Sequence, residues 1–261
     1  MRRFLPLLLW LGLAVQAKAT ITPVQAASAN TGSAAGGAIT WTTTALTANN
    51  YVVLFYSGNT NGAKSMFFSD ASGTSNYIGG EIARNFDSTG SVVSSVYLYK
   101  IVVGGATSVN IAPLDGTTFT GSAILWEISG KNLTPDVWKN NTGSGTALDS
   151  GTTATTNYAN ELWLASLCTR GQQNLSPNTA WATSPPTNGF SLVTTSGITG
   201  MTSTFTNVVN GDRYIAAVYK IVTATAAANV GIASAIPTNR FAGTIITLRE
   251  VPQVITSISS D

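Results

Sequence analysis

Short apolar runs alternate with turns along nearly the whole chain. Twelve runs rich in Val, Ile, Tyr, Phe, Trp and Thr are bounded by Gly, Asn, Asp or Pro, which is the pattern of β-strands. After the first 19 residues no segment carries a helical period. We therefore predict strands at Tyr51–Tyr56, Lys64–Phe68, Tyr77–Ala83, Val92–Val103, Ser108–Ile111, Ala123–Ile128, Leu162–Cys168, Phe190–Val193, Met201–Val208, Tyr214–Val222, Asn229–Ile232 and Ala242–Leu248.

Two of these strands are apolar on both faces. Tyr51–Tyr56 and Leu162–Cys168 lack the alternation of a strand with one wet face, so they resemble central strands of a sheet that is covered on both sides. The predicted fold class is all-β, an antiparallel two-sheet β-sandwich of jelly-roll or lectin type with about 12 strands.

The two halves of the chain resemble each other. The run VYLYKIV at 96–102 matches AAVYKIV at 216–222, and AILWEI at 123–128 matches TIITLR at 244–249. We predict two similar strand sets, over about 40–130 and 156–250, within one domain spanning residues 20–250. The polar stretch Ser129–Thr156 is either a linker between two domains or edge-strand material, and we favour one sandwich. Residues 251–261 are predicted to form a flexible tail.

The N-terminus has the three parts of an export signal. Arg2 and Arg3 precede an apolar run from Phe4 to Val15, and the small-residue triplet 17–19 follows. The run is shorter than the roughly 20 residues of a membrane span. We predict a signal peptide over residues 1–19 and a secreted, extracellular product without a membrane anchor. The periplasm and the cell surface are alternative destinations.

Removal of the signal also changes the charge balance. Without Arg2, Arg3 and Lys18, 10 of the 13 basic residues remain against 11 acidic ones. No basic cluster is left to neutralise phosphates, so no nucleic-acid partner is expected. The single cysteine, Cys168, lies in an apolar strand and is predicted to be a buried, unreactive thiol.

Histidine is absent, which excludes several kinds of active site. Ser-His-Asp and Cys-His catalysis and His-containing zinc sites are ruled out. The chain also lacks phosphate-binding and dinucleotide-binding glycine motifs. We predict no cofactor, no metal and no catalytic residue. The segment Asp70–Asn76 has oxygen ligands for Ca²⁺, but its Asp, Ser, Gly and Asn residues favour a hairpin turn.

Strand carboxylates are the remaining route to catalysis. Glu81, Glu127 and Glu161 lie in predicted strands, and two carboxylates held roughly 5 to 9.5 Å apart hydrolyse glycosides. The simpler interpretation is structural, with Glu127 paired to Lys100.

Aromatic side chains give the positive indication of binding. Sugar rings pack their C–H faces on flat aromatic surfaces. Trp126 and Trp163 lie in apolar strands and are predicted core residues, whereas Trp138 and Trp181 lie in polar, turn-rich sequence. Trp138 and Trp181 are the candidate ligand contacts, although a loop Trp more often plugs the end of a sandwich.

The order of the motifs resembles a widespread group of secreted bacterial β-sandwich domains that are jelly-roll-like and have no characterised activity. The resemblance rests on DASGTSNY, YLYK, ILWEISG, TPDV, NELW and the terminal TIITLRE. It implies a fold and a location but no catalytic residues, and the segment from 172 to 188 is an insertion relative to the usual pattern.

These observations favour a non-enzymatic secreted protein that acts by surface interaction with a glycan or another envelope component. A self-assembling structural or surface-layer component is the alternative, suggested by a charged fraction of only 9%. A carboxylate-pair glycoside hydrolase is the third hypothesis.

Overall fold

The structure is a computed structural model that describes residues 21–31, 39–58, 66–87, 92–114, 121–130, 132–171, 184–193, 201–203, 212–233 and 240–251. Within these ranges all regular structure is β, and no helix has the length and apolarity to cross a membrane. The 16 strands of the described residues are β1 (Thr22–Thr31), β2 (Ile39–Thr42), β3 (Tyr51–Gly58), β4 (Met66–Asp70), β5 (Tyr77–Phe86), β6 (Val93–Ile101), β7 (Ser108–Pro113), β8 (Gly121–Ser129), β9 (Leu133–Gly143), β10 (Ala147–Asp149), β11 (Glu161–Gly171), β12 (Ser191–Leu192), β13 (Met201–Ser203), β14 (Asp212–Val222), β15 (Gly231–Ala233) and β16 (Arg240–Glu250).

These strands form two large and two small antiparallel sheets. The first large sheet has the order β1-β8-β3-β6-β5, and the second has the order β12-β14-β11-β16-β9, with β13 also paired to β14. The first cover sheet is β2-β7-β4, and the second cover sheet is β10-β15. The predicted all-β antiparallel class is confirmed, with more strands than predicted.

The large sheets face each other, and each is covered on its other side by a small sheet. In β3, Val53 and Phe55 enter the inner core between the large sheets, whereas the residues between and beside them enter the core under the first cover sheet. In β11, Leu164 enters the inner core and Trp163 the core under the second cover sheet. Both strands therefore have two buried faces, which explains why they are apolar throughout.

The strand order within residues 22–129 is that of a jelly roll. The set β1-β8-β3-β6 lies over β2-β7-β4, as in that fold. The set β9-β16-β11-β14 over β10-β15 has the same order as far as the described residues extend. One departure positions the candidate site. Strand β5 would continue the smaller sheet beside β4 in a jelly roll, but here it pairs with β6 at the edge of the first large sheet.

Four strands were not predicted from the sequence: β1, β2, β9 and β10. Strands β1 and β9 are sheet edges, and in each a proline, Pro23 or Pro135, is followed by a bulge. Proline and polar residues are tolerated at edges and bulges because half of the backbone groups there need no strand partner. Strands β9 and β10 lie within Ser129–Thr156, so part of that stretch is strand, at the edge of the second large sheet and in the second cover sheet.

We expect the chain to unfold in one cooperative transition, because each large sheet buries its inner face against the other. Trp126 and Tyr219, from opposite sheets, have ring centroids 4.6 Å apart. Circular dichroism and tryptophan fluorescence should therefore give coincident curves in a urea titration. A chain ending at Ser129 should not fold alone. Two separate transitions, or a folded half, would contradict a shared core.

Candidate functional site

The aromatic candidates lie in different surroundings. Trp138 lies on edge strand β9 with 60% of its surface exposed, while Trp126 and Trp163 are buried as predicted. Trp181 falls outside the described residues. Of the two predicted ligand contacts, Trp138 is therefore the one whose accessibility the structure establishes.

The three predicted carboxylates do not converge. Glu81 pairs with Tyr97 and Glu127 with Val52, so both face the first cover sheet, but three strand spacings separate them. That is roughly 14 Å between the strand axes. Glu161 lies in the second large sheet, on its far face. The separation required for a glycosidase pair, roughly 5 to 9.5 Å, is not met by Glu81 and Glu127.

Glu127 has a structural role, but its predicted partner is wrong. The buried carboxylate accepts hydrogen bonds from Gln25 Nε2 at 2.5 Å, the Thr47 backbone N at 2.9 Å and Asn50 Nδ2 at 2.7 Å. Lys100 lies opposite Tyr51, whose side chain enters the inner core, so Lys100 and Glu127 point to opposite faces of the sheet. Glu127 instead ties the segment before β3 to β1 and β8.

A second buried carboxylate site joins Glu161 to Asp136, which the sequence analysis did not select. One Glu161 oxygen accepts the Trp163 indole N–H at 3.1 Å, the other has no hydrogen-bond partner among the described residues, and Asp136 acts on the carboxyl electrostatically. Burial raises the pKa of Glu161 to about 7, and Asp136 adds to the shift. Although burial opposes it, hydrogen bonds from the Asn157 side chain and backbone, together with the interaction with Glu161, lower the pKa of Asp136. Of the two carboxyls, Glu161 is thus the one with the raised pKa and Asp136 the one with the lowered pKa.

A concave site lies in the opening between β4 and β5. This aromatic groove has a volume of about 610 Å³, in the range of small-molecule sites. Phe68 stacks on Tyr99 with centroids 5.4 Å apart and an interplanar angle of 24°, and Tyr97 lies parallel to Tyr99 within 3° at 6.3 Å. The edge of Tyr77 meets Phe68 at 4.6 Å. Phe67 and Leu114 complete the apolar wall.

Gly79 keeps the groove open. It lies opposite Tyr99 in the ladder, with a φ of 149°, and a Cβ at this position would collide with the carbonyl oxygen of Leu98. No side chain can therefore cover the groove at this point on β5. A glycine inside a strand often marks a close approach of ligand or backbone. The sequence contained this signal in Gly79-Gly80, but its meaning depends on the register with β6.

A tight turn holds one end of the groove. Asp70 accepts hydrogen bonds from the Ser72 backbone N at 2.7 Å, Asn76 Nδ2 at 3.0 Å and the Tyr77 hydroxyl at 2.8 Å. The segment Asp70–Asn76 is thus the predicted turn, and its carboxylate is occupied by internal donors. Burial and the Asp70 charge raise the pKa of Tyr77, so its hydroxyl stays protonated.

The polar rim of the groove is electrically balanced. Glu81 accepts a charged hydrogen bond from Arg84 Nε at 2.7 Å. The buried Tyr97 hydroxyl makes no hydrogen bond of ordinary geometry with the described residues, although Glu81 and Arg84 both act on it electrostatically. Burial, with a smaller contribution from Glu81, raises the pKa of Tyr99 to about 12.

The described part of the chain forms neither a metal-binding cluster nor an exposed reactive thiol. No group of three or more Cys, His, Asp or Glu side chains is positioned there to hold a metal. Cys168 is buried as predicted, with its Sγ 3.3 Å from Ser166 Oγ, and burial raises the pKa of the thiol. The aromatic groove can hold a ligand but offers no nucleophile beside a base.

We expect the stability of the protein to fall as the pH rises from about 4.5 to 7. In this range the folded state keeps the Glu161 proton while the unfolded chain has lost it, so the free energy of unfolding decreases, by at most about 3 kcal/mol. The charged groups acting on Glu161 and its neighbour are Asp136 itself and Arg249, which lies opposite Glu161 in the ladder with β16 and acts on Asp136. Glu161→Gln should remove the slope, whereas Glu81→Gln should retain it. Urea titrations at each pH measure the effect, and an unchanged slope in Glu161→Gln would exclude this assignment.

In comparisons with known proteins, no protein-family model, no curated protein and no solved structure matches the chain. Function is therefore argued from the residues of the site.

Proposed function

We propose that the protein is a non-enzymatic, secreted glycan-binding protein and that the aromatic groove is its ligand site. The observation that carries this proposal is the groove itself, an opening of about 610 Å³ with a more exposed wall at Phe67 and Leu114 and a floor made by the buried rings of Phe68, Tyr77, Tyr97 and Tyr99. Secretion rests on the signal pattern in residues 1–19, which lie outside the described residues.

The lining of the groove favours a ring with apolar faces and uncharged polar edges. Aromatic walls pack well against the C–H faces of sugars, and the few polar groups at such a site orient the ligand. Because Glu81 and Arg84 neutralise each other, the rim favours neither an anion nor a cation. Hydroxyl groups can bond to both without leaving a charge unpaired. A neutral saccharide has apolar C–H faces, no net charge, and hydroxyl groups that can bond to both Glu81 and Arg84.

A binding role also fits the buried carboxylates better than hydrolysis does. Glu127 has three internal hydrogen-bond donors, and Glu161 is fully buried beside Trp163. Neither lines the groove, and Glu81, which does, is held by Arg84. A hydrolase needs an acid and a base on either side of the scissile bond.

The common strand order of the two halves supports the predicted internal repeat. Thr-Pro precedes a bulge in both β1 and β9. Asn49 and Asn160, shortly before β3 and β11, both have positive φ, at 69° and 60°. We include in the proposal that two jelly-roll repeats joined through their larger sheets form the scaffold, and that the described aromatic groove belongs to the first repeat.

We expect groove variants to lose glycan binding. Phe67→Ala and Leu114→Ala remove apolar wall that is partly or largely exposed, so the fold should survive. Aromatic stacking contributes about 1 to 3 kcal/mol in nucleic-acid systems, so Phe67→Ala should weaken binding about tenfold, the equivalent of about 1.4 kcal/mol. Ile221→Ala is the matched control, since Ile221 is an exposed apolar residue of the second large sheet. A glycan array followed by calorimetry provides the measurement.

Each rival hypothesis predicts a different result in the same experiment. Unchanged binding in both groove variants would remove the groove as the ligand site. Release of reducing sugar that Glu81→Gln abolishes would indicate a hydrolase. Light scattering that grows with concentration, in a protein that binds no glycan, would indicate the self-assembling alternative.

A further inference from the structure

The aromatic groove and Trp138 both lie on strands that meet at one junction, β5 and β9. Asn140 Nδ2 in β9 donates to the Arg84 carbonyl at 2.6 Å, and Asn85 Nδ2 in β5 donates to the Asn141 carbonyl at 2.7 Å. Residues 84 and 85 of β5 thus meet residues 140 and 141 of β9 at one junction. Trp138 lies two residues before Asn140 on β9, and the groove-lining Glu81 lies three residues before Arg84 on β5, so both are near this junction.

The two sites face each other across β5. Trp138 pairs with Ile246 of the inner core, so its side chain projects on the inner side of the second large sheet, toward the edge of the first. The groove lies on the outer face of β5, the face of Tyr77 and Glu81, and Gly79 lies between them on the same face. The spacing of packed sheets places the backbones of β9 and β5 roughly 10 Å apart, with the Trp138 side chain on the β5 side of β9.

Strand β5 is thin where it separates these sites. Gly79 and Gly80 place no side chain on either face, and space is open for a Cβ at Gly80. Among the described residues no strand pairs with the outer edge of β5, so alternate backbone N–H and C=O groups face outward. These groups can bond to hydroxyls. A chain of rings can pass over Gly79-Gly80 without displacing a side chain.

Resting on the proposed function, we propose that Trp138 is a second contact for the same ligand, and that this ligand is an uncharged glycan chain several rings long rather than a single sugar. One ring occupies the aromatic groove, the chain crosses β5 at Gly79-Gly80, and a later ring packs on Trp138. The surface supports a neutral chain, because Glu81 is paired with Arg84 and the side chains directed at the Trp138 edge include the amides of Asn85 and Asn140.

The hydrogen bonds between β5 and β9 make this a preorganised surface. The amides of Asn85 and Asn140 join the two edges, so Trp138 and the groove keep a fixed separation before the ligand arrives. A fixed separation lowers the entropic cost of binding a ligand at both contacts. The second contact then acts at a high effective concentration and raises affinity for long chains only.

Calorimetry with two series of β-1,4-linked oligosaccharides tests the inference, one of glucose and one of N-acetylglucosamine, each from the monosaccharide to the hexasaccharide. In the series that binds, we expect the hexasaccharide to bind at least tenfold more tightly than the disaccharide. Trp138→Ala should remove most of this gain. Phe67→Ala should weaken both lengths, and Ile221→Ala should weaken neither. Because Trp138 is exposed, thermal unfolding should be close to that of the parent in Trp138→Ala.

The outcomes separate this inference from the proposed function. If affinity does not increase with chain length and Trp138→Ala binds the hexasaccharide normally, while Phe67→Ala still weakens binding, the groove is correct and the second contact is wrong. If Trp138→Ala weakens the monosaccharide as much as the hexasaccharide, the two contacts are not separate and the inference is wrong. If the parent protein binds neither series and no saccharide of the glycan array, the proposed function fails and the inference with it. If it binds an array saccharide but neither series, the proposed function stands and the inference is wrong.

Discussion

Burial of both faces of the two large sheets is the constraint on which the rest of the structure depends. With one cysteine, the chain can form no internal disulfide, so its order must come from apolar contact. Strands β3 and β11 each supply side chains to two cores. The inner core joins the two halves, and the cover sheets shield the outer faces. Because the central strands carry most of this burial, edge strands can contain polar residues and proline.

Every central strand was predicted from the sequence, and the four strands that were missed, β1, β2, β9 and β10, all lie at sheet edges, for a physical reason. A strand buried on both faces must be apolar at nearly every position, and all twelve predicted strands overlap observed ones. An edge strand forms hydrogen bonds with one neighbouring strand only, and its other edge needs no strand partner. Strands β1 and β9 can therefore contain Pro23 or Pro135 and still pair. The signal that a pattern search relies on is weakest where the sheet ends.

Register explains why the candidate site could not be predicted. The sequence aligns Lys100 with Lys220, but Lys100 lies opposite Tyr51 of the inner core, and Lys220 lies opposite Trp163 under the second cover sheet. The sequence match of the two halves is therefore shifted by an odd number of residues from their structural match. Such a shift puts matched residues on opposite faces of their strands. The tyrosine before each lysine therefore differs in role. Tyr99 lines the groove, whereas Tyr219 packs on Trp126 in the inner core.

The proposed ligand surface lies on β5, an edge strand, where a less stable strand disturbs the fold less than it would in the centre of the sheet. Two adjacent glycines weaken a strand because they lose more backbone freedom on folding and bury no side chain. In a central strand this loss would also open the inner core. At the edge, the ladder with β6 and the amides of Asn85 and Asn140 hold β5 in place. The bulge between Glu81 and Ala83 makes this edge a poor template for another strand. The same features that keep β5 from pairing with a second chain leave its groove and its outer backbone accessible to a smaller ligand.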